Sequence, residues 1–371
     1  MRLLSIEDLR MLVAEHRAPC VTITLPTHRD PREASQDAVL YRDLVRRAER
    51  QLDLGDAGAR QRLLGPLREL DGPALWAGPT GGLAVFRSTD LTVFYRLPEP
   101  VAESVHVGRR FQVRALLPAL RAGARFLLLT LSQSQVTLYQ GTARELQPVH
   151  VAGLPASMAD ALGPEWRLRF VTGHSAGHGQ LVFHGQGAPS DDAKPDLVRF
   201  FRAVDEGLWP HLRELDLPLI LAGVDYYHPL FRQVTRYRHL TDEGITGNVD
   251  HDGPAQLLAK ARPIVEGLAR AREDEVLAEY ARHERHGRTT AALEAIGYAA
   301  VRGRVRRLLL SEGAGVSGQV DRETGYLTRR VEDNDALEDL AEMVLVRGGE
   351  VLAVSRGRLP GDGVAAATLR W

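Results

Sequence analysis

The sequence predicts a mixed α/β protein of α+β character, laid out in three segments. Three observations carry that prediction. Val21-Thr-Ile-Thr-Leu25 alternates apolar and polar residues with the period of two that a half-buried strand requires. The amphipathic stretch Lys194 to Leu212 leads into the apolar run Pro218-Leu-Ile-Leu-Ala222, which suits a buried strand covered by helices. Residues 259–371 read helix, strand, helix, strand, the rhythm of a compact α/β sandwich.

Taken in order, a helix is expected over Ile6 to His16, then a strand over Cys20 to Leu25, stopped by Pro26. After the Asp30-Pro31 turn comes a long helix with Val39, Leu40, Leu44, Val45 and Leu52 on one face and Arg42, Arg46 and Arg50 beside it. Gly82–Phe86 and Leu91–Tyr95 read as a hairpin, and a helix from about Gln112 to Leu120 closes the first segment, residues 1–122. The second segment, residues 123–258, opens on a second hairpin, Phe126–Leu131 with Gln135–Tyr139. It continues through a Gly/His-rich loop to the helix Lys194–Leu212, whose apolar side holds Leu197, Phe200, Phe201, Val204 and Leu208. The third segment, residues 259–371, takes over within a charged helix from Ala255 to His286. A helix to Val301, the strand Val305–Leu310, the helix Ala336–Arg347 and the strand Glu350–Val354 follow. Leu308 and Leu310 are expected inside, and Arg307 in solvent or in a salt bridge. The acidic stretch Glu332 to Asp335 is expected to cap the helix that follows it.

Charge excludes little. The 47 Lys and Arg balance 48 Asp and Glu to a net −1, so no global basic field announces a nucleic-acid partner. No run approaches the roughly 18 apolar residues of a membrane span, and the charged start lacks a signal-peptide core, so a cytoplasmic location is expected. Cys20, in an apolar run, reads as a buried thiol. No phosphate-binding G-x-x-x-x-G-K-[ST] and no G-x-S-x-G elbow occurs, and no cofactor is expected. Gly313-Ala-Gly315-Val-Ser-Gly318 has the form G-x-G-x-x-G, but no helix clearly starts there.

The loop from Thr172 to Gly187 concentrates the unusual chemistry. It carries His174, His178 and His184 at a spacing that fits no standard zinc site, with no cysteine near, so no metal is expected. It also carries two His-Gly-Gln triplets, His178-Gly179-Gln180 and His184-Gly185-Gln186. As phosphate contacts the best candidates are Arg109, Arg110 and Arg114, with Arg304 and Arg306 around the turn into a strand. Asp225-Tyr-Tyr-His228 follows a strand end; its tyrosines suit packing more than base stacking.

These landmarks resemble, in order, one family along nearly the whole length. Val21-Thr-Ile-Thr-Leu-Pro-Thr-His28, Phe183-His-Gly-Gln-Gly187, Asp191-Asp-Ala-Lys194, Arg199-Phe-Phe-Arg-Ala-Val204, Pro218-Leu-Ile-Leu-Ala-Gly-Val224 and Glu243-Gly-Ile-Thr-Gly-Asn248 are similar to stretches of bacterial relatives of the archaeo-eukaryotic peptide-chain release factors and Pelota. Ala292 to Ala300 and Gly363 to Trp371 resemble the family's third domain. The resemblance implies a three-domain architecture with a C-terminal α/β sandwich. The implied partners are the ribosome, through rRNA or tRNA, and a translational GTPase. The family's release factors carry Gly-Gly-Gln on the middle-domain loop, where a backbone N–H stabilises the oxyanion as water attacks the peptidyl-tRNA ester. Here Gly179 and Gln180 match the second and third positions and His178 stands at the first. A non-hydrolytic role in rescue, hibernation or stress is therefore expected over peptidyl-tRNA hydrolysis. A protein-interaction module without a translation role is the reading from another class.

Overall fold

The structure, a computed structural model, describes residues 4–15, 18–28, 31–52, 56–76, 81–120, 125–142, 145–163, 194–331 and 334–371. It is mixed α/β with several sheets. The chain divides into two compact units, one of residues 1–124 with 269–371 and the other of residues 125–268.

Ser5 starts helix α1 (Ile6–Ala14) with a capping box: its hydroxyl accepts from the Asp8 N–H while the Asp8 carboxylate takes the Ser5 N–H. Next come β1 (Cys20–Pro26), α2 (Pro31–Gln51), α3 (Ala57–Glu69), the single turn α4 (Pro73–Trp76), β2 (Gly82–Arg87), β3 (Thr92–Leu97) and β4 (Ser104–Gly108). The sheet order is β3-β2-β1-β4, with Ile23 opposite Val85 on one side and Val105 on the other. Strand alternation divides its side chains between two faces. Val21, Ile23, Leu25, Leu83 and Val85 pack on Tyr41, Leu44, Val45 and Ala48 of α2 and on Leu63, Leu64 and Leu67 of α3, while Cys20, Ala84 and Phe86 face the other way. Val39, expected on the buried face of α2, is instead 57% exposed. Tyr41 takes the inner position, its hydroxyl bonded to the Leu67 carbonyl. The helix expected from Gln112 is a 3-10 helix, Arg114–Leu120. Pro118 lies within it; proline has no N–H and clashes with the carbonyl four residues back, which disfavours a regular α-helix in so short a segment.

The second unit begins with β5 (Arg125–Leu131), β6 (Val136–Thr142), β7 (Leu146–Val149), α5 (Met158–Leu162) and α6 (Lys194–Leu212). It continues through β8 (Leu219–Gly223), α7 (Tyr227–Val234) and β9 (Ile245–Thr246). Strand order is β7-β6-β5-β8-β9, and β5 runs parallel to β8 with Leu128 beside Ile220. The odd residues Leu127, Leu129 and Leu131 meet Phe200, Phe201, Val204 and Leu208 of α6 and Leu230 and Phe231 of α7. The even Phe126 and Leu128 meet Leu257, Ala261, Ile264 and Val265, at the start of α8 (Pro254–Glu284). That is why β8 is apolar throughout: both its faces are covered.

The first unit resumes from the later part of α8, which supplies Val276 and Tyr280 to its core. There follow β10 (Thr289–Thr290), α9 (Leu293–Val301), β11 (Val305–Ser311), β12 (Gly318–Val320), β13 (Leu327–Arg329), α10 (Ala336–Val346), β14 (Glu350–Val354) and β15 (Ala365–Leu369). The sheet order is β10-β15-β11-β14, with β11 and β14 parallel. Leu308 and Leu310 are buried against α9 and α10, as their pattern predicts, while Leu309 turns toward Val276 and Tyr280. Arg307 is salt-bridged as expected, to Glu279 of α8 and to Glu350 of β14. Asp335 caps α10, accepting from the Leu337 N–H at 3.0 Å. A single hydrophobic cluster gathers Leu9, Cys20, Phe86, Phe111 and Leu116 from the first segment with Ile296, Leu308, Leu340 and Val344 from the last. Two stretches far apart in sequence thus share one core.

Candidate functional site

The loop residues His174, His178, Gly179, Gln180, His184, Gly185 and Gln186 lie outside the described residues. Its flanks are described. Ser157 caps α5, accepting from the Asp160 N–H, and Met158 of α5 shares a core with Leu197 of α6. Near these helices Gly207 lies so close to the backbone at Gly153 that a side-chain carbon there would fall 2.5 Å from the Gly153 oxygen. A groove of about 560 Å³ opens between Ala152–Pro155, α5 and α6. Its ionisable lining residues, Asp160 and Glu206, are both acidic, so the groove repels rather than attracts a phosphate backbone.

Tyr227, beyond the end of β8, is buried in the core edge-on to Phe201 at 5.0 Å, and burial raises its hydroxyl pKa above the ordinary tyrosine range. This is the packing role the sequence suggests. Cys20 is buried too, and burial pushes its thiol up to about 11.

The candidate arginines fall into two groups. Arg304 donates to the Trp371 carbonyl at 2.7 Å, and Arg306 pairs with Glu279 at 3.2 Å. A register shift in β11 between Val305 and Arg307 leaves Arg306 exposed while Arg307 is buried. Arg109 is exposed; its neighbour Arg110 pairs with Glu342, and Arg114 with Asp335 at 2.5 Å.

The partners of Arg110 and Arg114 define a feature that sequence reasoning passed over. Asp335, Glu338, Asp339 and Glu342 are spaced i, i+3, i+4 and i+7, so they line one face of α10. That face receives Arg110 and Arg114 from the first segment and Arg322 from the β12–β13 turn, which pairs with Asp339 at 3.0 Å and with Glu342. Glu338 meets the backbone instead: its carboxylate accepts the N–H groups of Val113 and Arg114, at the start of the 3-10 helix. These donors have no partner within their own helix, so a carboxylate there acts as a cap from outside. The spacing is visible in the sequence; what it faces is not.

Glu338 also lines a cavity of about 410 Å³, with Thr22, Thr24, Ser104, Arg114 and Ser311. Desolvation by the surrounding protein pushes its carboxyl up to about 7, although the two backbone donors and Arg114 pull the other way. Because folding raises this pKa, the folded chain holds a proton that the unfolded chain has already lost between about pH 4.5 and 7. Its contribution to stability is therefore fully present below about pH 4.5 and lost as pH rises through 7. Glu338 keeps partial access to the cavity, which moderates the effect to on the order of 2 kcal/mol. Urea unfolding at pH 5 and pH 8 should show Glu338→Gln flattening the pH dependence by about that amount. A slope identical to that of the unmodified chain would contradict the assignment.

Residues 125–304 match the model of bacterial archaeo-eukaryotic release factor family 3. That stretch, 180 of the 371 residues, is similar to the bacterial archaeo-eukaryotic release factors. The match spans the second unit, the rest of α8 and helix α9, the stretch that holds the His-Gly-Gln triplets. Among solved structures, the chain is similar to archaeal Pelota in a ribosome-bound model with ABCE1, at 12% identity and TM-score 0.42, over 100% of this chain and 95% of that one. It is similar to Dom34 of S. cerevisiae, a translation termination-like factor, at 13% identity and TM-score 0.38, over 79% of this chain and 74% of that one. It is also similar to the archaeal translation termination factor aRF1, at 17% identity and TM-score 0.25, over 100% and 99% of the two chains. None of the curated proteins matches. Among the described residues no helix is long and apolar enough to cross a membrane.

Proposed function

We propose that the chain is a cytoplasmic, ribosome-associated translation factor of the release-factor and Pelota type that does not hydrolyse peptidyl-tRNA. The carrying observation is the family match over residues 125–304, a stretch that contains His178-Gly179-Gln180 and His184-Gly185-Gln186 but no Gly-Gly-Gln. The first position of that tripeptide needs a residue without a side chain, so that backbone and RNA approach closely. Histidine is bulky and takes positive φ less readily. His174, His178, Gly179, Gln180, His184, Gly185 and Gln186 are then loop contacts to rRNA or tRNA rather than a hydrolytic centre. Arg109, Arg110, Arg114, Arg304 and Arg306 are the proposed phosphate contacts, in a three-domain division at residues 1–122, 123–258 and 259–371. A translational GTPase is the partner that the sequence resemblance suggests.

Two measurements test this reading. The chain should co-sediment with ribosomes on a sucrose gradient; free migration at the top would return it to the protein-interaction class. It should release little or no peptide from loaded ribosomes. A lost or misplaced oxyanion donor costs about 3–4 kcal/mol, or 10²–10³ in rate. Gln180→Ala should leave release unchanged, and Gly179→Val should weaken ribosome binding by stiffening the loop. Robust release abolished by Gln180→Ala would establish hydrolysis instead.

A further inference from the structure

We propose that the acidic face of α10 is an electrostatic latch on Arg110 and Arg114, and that a polyanion opens it by taking over these two arginines. The proposal rests on the reading of these residues as phosphate contacts. In the structure both guanidinium groups are already engaged by carboxylates, Arg110 by Glu342 and Arg114 by Asp335. A carboxylate and a phosphate offer the arginine fork the same pair of acceptor oxygens, so the two compete for one site. The acidic face therefore occupies the arginines in the way a nucleic-acid backbone would.

Three features make this a latch rather than a scatter of surface pairs. First, Glu342 is deeply buried, and its two partners, Arg110 and Arg322, come from different parts of the chain. Second, burial lowers the pKa of Arg110, and the nearby cations Arg322 and Arg109 lower it further. Like charges held this close depend on the carboxylates between them. Third, Arg109 is exposed beside the half-buried pair, so an approaching polyanion meets one cation in solvent before it competes for the next two. In the closed state Glu338 accepts the N–H groups of Val113 and Arg114, directional hydrogen bonds that opening would loosen.

The test uses a fluorescein-labelled single-stranded RNA of about twenty nucleotides and the full chain. Asp335→Asn with Glu342→Gln keeps size, hydrogen-bond acceptors and the helix cap, and removes both charges that hold the arginines. This variant should bind the RNA about tenfold more tightly at low salt than the unmodified chain. Its log affinity should fall more steeply with log salt, by close to two more phosphate contacts. Adding Arg110→Ala and Arg114→Ala to the same background should erase the gain. An unchanged affinity overturns the proposal. So does a gain that survives loss of both arginines, which would reflect net charge alone.

A second measurement covers the case in which the variant does not fold. In the unmodified chain, hydrogen exchange at the Val113 and Arg114 amides should speed up when the same RNA is added at low salt; unchanged protection again overturns the latch. Failure of the ribosome reading would appear separately, as absence of co-sedimentation. Retained co-sedimentation with no RNA-linked change at these amides would sink the latch alone.

Discussion

Replacing Phe201 by alanine should destabilise the second unit by about 3–5 kcal/mol, the cost of removing a fully buried aromatic ring and leaving its space unfilled. Phe201 has no exposed surface and sits at the centre of an aromatic group. Its ring is 5.5 Å from Phe200, 5.0 Å from Tyr227 and 6.0 Å from Phe231. These neighbours belong to two helices packed on the same sheet face, so the cavity cannot close without moving one helix against β5 and β8. Phe201→Leu should cost much less, because most of the volume remains. Urea unfolding followed by tyrosine and tryptophan fluorescence measures both variants. A loss below about 1 kcal/mol for Phe201→Ala would show that the helices do collapse into the space.

Valine at Gly325 should cost about 3 kcal/mol or more, through two separate effects. Gly325 holds φ +78, a conformation that costs a side chain roughly 1–2 kcal/mol. A side-chain carbon at Gly325 would also lie 2.6 Å from the Gly297 carbonyl, and one at Gly297 would lie 2.4 Å from the Gly325 oxygen. The β12–β13 turn and α9 therefore touch backbone to backbone, and neither has a flexible side chain to give way. Overpacking of this kind costs about 1–3 kcal/mol. Gly325→Val should lower the melting temperature by several degrees and speed hydrogen exchange in α9. Gly313→Ala is the control: its φ is +68, but the added carbon meets nothing within 4 Å. It should show the conformational cost alone, so equal losses for the two variants would dismiss the contact with Gly297.

Much of this protein is determined by its sequence. The alternating run gives β1, and short apolar runs bounded by turn residues give β2, β3 and β5 within a residue or two, because both signals are local. Lys194 to Leu212 forms the expected helix, and its five apolar residues are all buried. Glu350–Val354 is the expected strand, and Asp335 is a cap where an acidic run precedes a helix. The similarity of residues 125–304 to the release factors was also legible, since an ordered set of short motifs does not depend on contacts.

Only the tertiary structure decided the rest. Val39 fits an apolar helix stripe by spacing, yet points outward, because Tyr41 fills the space above the sheet. Gln112 to Leu120 has helical composition, but Pro118 and an external cap from Glu338 produce a 3-10 turn. Above all, nothing local announces that the first and last segments share a core, or that Asp335, Asp339 and Glu342 meet three arginines, two of them more than two hundred positions earlier. A charge pattern records which face of a helix is acidic. What that face meets depends on which distant segments fold against it, since burial and pairing are properties of three-dimensional neighbours and not of spacing along the chain.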